Sequence, residues 1–141
     1  MTDWVDERAE RAERNNQVIA EFRANEGLVG GSASTLLLHH TGAKSGIARV
    51  NPVAFQRVGE NFAIFGSRAG GPLNPDWYHN LIANPQTSIE VGSEIIEVVA
   101  RVTSGEERAA IWERQKADSP GFAAYEAKTT REIPVILLER T

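Results

Sequence analysis

The middle of this chain is a series of short strand-like runs joined by very short connections, and no other feature constrains its fold as strongly. Residues 35–40, 48–58 and 62–66 are rich in aliphatic, β-branched and aromatic side chains, and Gly59-Glu60-Asn61 turns the second run into the third. Residues 87–91 and 95–102 alternate apolar and polar around a Gly92-Ser93 turn, and residues 133–138 form a last apolar run. A parallel crossover needs a dozen or more residues, so strands linked this closely pair antiparallel. Pro52 falls inside the second run, and because it has no N–H it must lie at a sheet edge or a bulge. About six antiparallel strands with peripheral helices make this a mainly β, α+β fold, a small closed or split barrel.

The helical signals lie around these strands. Residues 2–25 read as a helix, charged along Glu7, Arg8, Glu10, Arg11, Glu13 and Arg14, with a narrow apolar stripe of Val18, Ile19 and Phe22. Asn25-Glu26-Gly27 stops it. Trp4 and Val5 are its only other apolar anchors, so its first half is expected to be exposed or to pack on a partner. Asn74-Pro75 opens a second helix through Trp77-Tyr78-His79-Asn80 that ends at Asn84-Pro85, with Asn74 as its cap. Ser104 with Glu107 three residues on is a capping-box pattern ahead of Ile111 and Trp112, and Pro120 begins a short helix through Tyr125. The chain divides into the helix of residues 1–26 and a barrel of residues 27–141, within one domain.

Several functions lose support. There is no cysteine, which removes disulfides, thiolate nucleophiles and Cys-based metal sites. His39, His40 and His79 lack the i, i+4 spacing of a helical zinc site, so no metal is expected. The net charge of −4 argues against nucleic acid as a partner. No apolar run is long enough to span a bilayer or to act as a secretion signal, so a cytoplasmic protein is expected. The first helix is charged all round, so any membrane contact would be peripheral. There is neither a Gly-x-Ser-x-Gly elbow nor a Gly-x-Gly-x-x-Gly turn after the first strand.

What remains is a set of anion donors and aromatic faces. Thr41-Gly42-Ala43-Lys44-Ser45-Gly46-Ile47-Ala48-Arg49 combines two glycines, two cations and two hydroxyls, a composition suited to a phosphate or carboxylate. It is not a P-loop, because Ala43 separates Gly42 from Lys44, and an ordinary hairpin loop with solvated cations fits the spacing equally well. Ser67-Arg68-Ala69-Gly70-Gly71-Pro72 is a second loop of the same kind, and Lys44, Arg49 and Arg68 on one rim would steer an anion. Trp77 and Tyr78 offer faces for a planar ring, although Trp77 reads equally as a core anchor and His79, His39 and His40 as structural. Phe122 and Tyr125 either close over a pocket or pack the last strand. A site with donors but no nucleophile–base pair suits a cofactor that carries the chemistry.

These residues also carry a family resemblance. Leu36-Leu37-Leu38-His39-His40-Thr41-Gly42-Ala43-Lys44-Ser45-Gly46, Arg49-Val50-Asn51-Pro52, Ser67 to Pro72, Asn74-Pro75-Asp76-Trp77-Tyr78-His79-Asn80-Leu81, Ala83-Asn84-Pro85, Tyr125, Lys128-Thr129, Arg131 and Ile133-Pro134-Val135 together resemble the deazaflavin-dependent nitroreductases of actinobacteria. The resemblance implies a split β-barrel related to FMN-binding barrels. It implies coenzyme F420, an 8-hydroxy-5-deazaflavin with a phosphate-linked oligoglutamate tail. Lys44, Ser45 and Arg49 match the family's tail-binding loop, and Val50, Asn51 and Pro52 the strand along the ring. Ser67, Arg68, Ala69 and Gly70 match a second loop at the cofactor, and Trp77, Tyr78, His79 and Asn80 the helix start. Ser67 and Tyr125 fall where members contact the acceptor, as candidate catalytic groups. Ala43, His39 and His40 depart from the pattern, which often has a cation at the first position and threonines at the other two, and Ser119 is not aromatic.

The expectation is therefore an oxidoreductase that passes a hydride from reduced F420 to a small quinone, nitroaromatic or conjugated enone. The alternatives are an F420 carrier with little turnover and an FMN-dependent reductase on the same barrel. Monomer and homodimer remain equally open, since the first helix can cover its own barrel or a partner's.

Overall fold

The computed structural model describes the backbone of residues 4–141 and the side chains of residues 9–141. The expected helix start at Thr2 and the packing of Trp4, Val5, Glu7 and Arg8 lie outside the described residues. The elements are α1 (Trp4–Ala24), β1 (Thr35–Thr41), β2 (Ala48–Val58), β3 (Asn61–Phe65), α2 (Asp76–Ala83), β4 (Gln86–Val91), β5 (Glu94–Val102), α3 (Gly105–Asp118), α4 (Gly121–Lys128) and β6 (Val135–Arg140). The strands form a closed antiparallel barrel in the order β1-β2-β3-β6-β5-β4. The expected strand count, sense and fold class hold, and the boundaries move by a few residues. Ile133 and Pro134 are buried ahead of β6 instead of inside it, since Pro134 has no N–H to give a ladder.

Alternation sets the inside of the barrel. Leu36 and Leu38 of β1, Phe62 and Ile64 of β3, Ile89 and Val91 of β4, Ile96 and Val98 of β5, and Ile136 and Leu138 of β6 meet in one interior cluster. Each such side chain is worth about 1.5–3 kcal/mol when buried. β3 and β6 are apolar on both faces because their outer residues, Ala63, Phe65, Val135 and Leu137, pack under Ile111 and Trp112 of α3. α2 sets Trp77 and Leu81 against the interior cluster.

The barrel is closed unevenly. β1 meets β4 through only Leu37↔Glu90 and Leu38↔Ile89, whereas β2 follows β1 from Thr35↔Ala54 to Thr41↔Ala48. β3 pairs with β2 only over Phe55 to Val58, so the first half of β2 has one neighbour. Pro52 lies in that half. The Phe55 N–H donates to the Ser34 carbonyl (3.1 Å), so by antiparallel alternation Val53, Asn51 and Arg49 bond β1 and the Pro52 nitrogen faces the open flank. The register runs through it without a bulge, so of the two expected outcomes Pro52 marks an edge.

Two predicted caps do not form. Ser104 makes no capping hydrogen bond, and Gly105 enters α3 at φ +58°. Glu107 instead accepts two bonds from Arg101 (2.7 and 2.9 Å), and charge-assisted bidentate pairing outweighs a neutral cap. Asn74 does not cap α2 either, because its Oδ1 accepts from Arg131 (2.7 Å) and Pro75 occupies the cap position.

α1 reaches the barrel through its last turns. Phe22 is buried, Val18 and Ile19 are half-buried, and residues 9–14 are exposed, as the stripe predicts. The helix ends against the β4–β5 turn. A Cβ on Gly27 would come within 2.5 Å of the Gly92 Cα, so only glycine permits this approach. Arg23 donates to Glu90 (3.2 and 2.8 Å), and His39 Nε2 donates to the same carboxylate (2.7 Å). These contacts, the Arg23 bond foremost, hold the Glu90 carboxyl below its ordinary value near 4.5. Its contribution is full above that value and is lost as pH falls through the lower folded one. Glu90→Gln should cost about 1 kcal/mol, since Arg23 is half exposed. Hydrogen exchange over residues 9–24 should rise selectively, and unchanged exchange there would show that Glu90 does not anchor α1.

Candidate functional site

The loop after β1 is closed by its own backbone. The Gly42 N–H donates to the Ile47 carbonyl and the Gly46 N–H to the Gly42 carbonyl, both at 2.9 Å, and Ser45 Oγ accepts from the Ile47 N–H (3.2 Å). Lys44 and Ser45 stand on its exposed tip. Arg49 follows at the start of β2, exposed and opposite His40. Among the described residues neither Lys44 nor Arg49 pairs with a carboxylate, whereas Arg101, Arg108, Arg114 and Lys116 all do. Unpaired cations on a closed glycine loop, in a chain of net charge −4, keep their charge available to an anion. Val50, Asn51 and Pro52 continue along β2, half-buried, opposite His39, Leu38 and Leu37.

A buried polar chain ties this loop to two other elements. The Ala43 N–H donates to Asn80 Oδ1 on α2 (2.9 Å), the Asn80 amide nitrogen meets His40 Nδ1 (2.9 Å), and His40 Nε2 meets Asn51 Oδ1 on β2 (2.7 Å). His40 is only 3% exposed and Asn80 8%. Burial pushes the His40 imidazole below its ordinary value.

The second loop depends on Arg131. Its guanidinium donates to the carbonyls of Gly71 (3.1 Å), Gly66 (3.0 Å) and Ser67 (2.9 Å) and to Asn74 Oδ1 (2.7 Å). These bonds hold a backbone in which Arg68 and Ala69 both adopt left-handed torsions (φ +46° and +54°), each disfavoured for a residue with a Cβ. Ser67 is buried, Arg68 and Ala69 are exposed, and Arg68 makes no ion pair among the described residues. Gly70 touches α4: a Cβ there would lie 2.9 Å from the Tyr125 carbonyl and 2.9 Å from Lys128 Cβ. Tyr125 thus sits against the loop that carries Ser67, half-buried, with its ring edge-on to Phe122 at 5.3 Å.

α2 links the two loops, following the second directly and reaching the first through Asn80. Its aromatic residues divide. Trp77 packs in the barrel interior, Tyr78 is half-buried against the same cluster, and His79 is exposed with its ring 5.3 Å from Tyr78. Two clefts, of about 270 and 230 Å³, lie elsewhere and contain none of these residues. Sequence reasoning passed over His40 and Arg131 as parts of this site. The signals were a His between strand and loop, and an Arg directly ahead of the last strand.

A six-stranded antiparallel barrel with unpaired cations on glycine loops beside a short helix suits a protein that binds an anionic cofactor and leaves the chemistry to it. The chain belongs to the F420H2-dependent quinone reductase family, whose model matches residues 13–140. It is 34% identical over 128 residues to an F420H2-dependent quinone reductase of Mycobacterium tuberculosis, covering 86% of each chain. Among solved structures it is similar to an F420H2-dependent reductase, FDR-A, with TM-score 0.69 and 36% identity over 75% of this chain and 94% of that one. It is also similar to a chain described as a domain-swapped dimer, with TM-score 0.72 and 35% identity over 97% and 98% of the two chains.

Arg131→Met should orphan three carbonyls and destabilise the protein by about 2–4 kcal/mol in urea unfolding. Arg131→Lys should recover only part of this, since an ammonium lacks the planar fork. Equal stability of the lysine variant and the wild type would refute the forked anchor.

Proposed function

We propose that this chain reduces small quinones with F420H2, and that Lys44, Ser45 and Arg49 hold the acidic tail of the cofactor. The observation that carries this reading is the self-closed loop whose two cations have no carboxylate partner among the described residues. Bound F420H2 supplies the hydride. Val50, Asn51 and Pro52 flank the ring along the open side of β2, where only one neighbouring strand is present. Ser67, Arg68, Ala69 and Gly70 form the second wall, fixed by Arg131. Of the helix residues, Tyr78 and His79 are the ones left for the ligand; Trp77 and Asn80 act on it indirectly, through the core and through the first loop.

Ser67 and Tyr125 are placed as the groups that meet the acceptor, supported by the contact between Gly70 and α4. A hydroxyl there polarises the acceptor oxygen and relays the proton that, with the hydride, completes a hydroquinone. Nitroaromatics and conjugated enones are secondary acceptors in this reading. The N-terminal segment that carries α1 and the barrel of residues 27–141 act as one domain, supported by the Arg23–Glu90 pair. Among the described residues no helix is long and apolar enough to cross a membrane. We place the protein in the cytoplasm, as a monomer or homodimer without a nucleic-acid partner, and any membrane contact is peripheral. The swapped dimer of the similar chain supports the dimeric alternative.

Fluorescence titration with F420 and with FMN tests the cofactor, because FMN lacks the glutamate tail. F420 should bind more tightly, and Lys44→Ala and Arg49→Ala should each weaken it about threefold to tenfold. Oxidation of F420H2 by menadione should follow the same order across the variants. Tighter binding of FMN, or no oxidation with any quinone, would overturn the proposal.

A further inference from the structure

Sequence alone reads His40 as structural without saying what it holds, and it is the most buried charged or polar residue within the region that carries the candidate site. Its hydrogen bonds define its chemical state. The Ala43 backbone nitrogen has only a proton to offer, so the Asn80 atom that meets it is the amide oxygen. The Asn80 amide nitrogen is then the donor toward His40 Nδ1, which must accept and carries no proton. Nε2 therefore bears the proton and donates it to Asn51 Oδ1. Every polar atom along this path has one assignment, and a second proton on the ring leaves Nδ1–H facing the Asn80 N–H2.

Three elements meet at this ring: the loop through Ala43, α2 through Asn80 and β2 through Asn51. The charged or titratable groups whose fields reach it are Arg49 on β2, Asp76 on α2 and His39, the next residue on its own strand, whose ring points the other way to Glu90. Burial opposes a second proton most strongly; the Asn51 hydrogen bond favours it, Arg49 and His39 oppose it, and Asp76 favours it.

We infer that His40, neutral and protonated on Nε2, is a positioning residue that locks the Lys44 loop to α2 and β2, and that its protonation releases the loop and weakens cofactor binding. This deepens the proposed function and rests on the reading of the loop as the cofactor's tail cradle. His40 touches neither cofactor nor acceptor; it acts through Asn80 and Ala43. With the loop preorganised, the ligand does not bear the cost of ordering it.

Two variants separate the two ring nitrogens. His40→Asn keeps an acceptor near the place of Nδ1 and does not titrate; His40→Gln keeps a donor near the place of Nε2 and gives up the bond to Asn80. F420 is titrated into each protein from about pH 7.5 down to about pH 4.5, a span extended below that of a free imidazole because burial moves the uptake of the proton downward. Taking the ratio to wild type at each pH cancels the ionisation of the cofactor itself. His40→Asn should bind like wild type at the upper end and about threefold to tenfold more tightly than wild type at the lower end. His40→Gln should be weaker by a similar factor at the upper end, with a flatter profile.

A second arm uses no cofactor. In the free protein, imidazole ¹⁵N shifts should report the Nε2–H tautomer. Protection of the Ala43 amide from exchange should fall with acid in wild type, be low throughout in His40→Gln, and hold in His40→Asn. If wild type fails to bind F420 at any pH, the functional reading falls, and this arm alone decides the loop lock. An Nδ1–H tautomer, or Ala43 protection that is the same in wild type and His40→Gln, overturns the inference. So does F420 binding with the same pH profile in all three proteins.

Discussion

Everything in this molecule depends on closing a barrel around side chains that alternate along all six strands. Period-two alternation sends Leu36, Leu38, Phe62, Ile64, Ile89, Ile96, Ile136 and Leu138 to a single interior. Because that interior is shared, β4 and β5 cannot slip by one residue without turning apolar side chains out and polar ones in, whereas β3 and β6, apolar on both faces, are held in register by their different neighbours inside and outside. Closure also requires the third strand to pair with the last, far away in sequence, and α3 covers that central pair from outside. The candidate site occupies the region left over, where β2 has one neighbour and two loops meet α2.

The two loops are held rigid by different means. The first is closed by its own backbone and then pinned through Asn80 and His40. The second carries consecutive left-handed residues and depends on one guanidinium for its carbonyls. The anchoring side chains, Asn80 and His40 for the first loop and the half-buried Arg131 for the second, are spent on hydrogen bonds within the protein, and Lys44, Arg49 and Arg68 beside them are exposed. The division is physical: buried donors and acceptors must be satisfied and therefore fix geometry, whereas exposed charge stays available to a ligand.

Much of the fold was legible in the sequence because it rests on local signals. Alternation, short turns and Pro52 gave the strand number, the antiparallel sense and an edge. The caps at Ser104 and Asn74 misled because an arginine on another element outcompeted the cap in each case: Arg101 of β5 takes Glu107, and Arg131, far along the chain, takes Asn74. Non-local bonding hid His40 and Arg131 from the site, since each lies within a recognised run yet acts on atoms far away in sequence. Trp77 shows the opposite limit. A helical Trp beside Tyr and His is equally compatible with a ring platform and a core anchor, and only the barrel's shape puts it inside.

The open flank of β2 has a consequence for how this protein survives at high concentration. An unpaired strand edge is a template onto which another chain can add, and such edges drive edge-to-edge aggregation. The flank from Ala48 to Ala54 is long enough to recruit one. Pro52 presents a ring and no N–H in the middle of it, and exposed Arg49 adds charge near its start. The residue that most disturbed the reading of β2 as a strand thus keeps the open side of the barrel from growing into a continuous sheet with its neighbours.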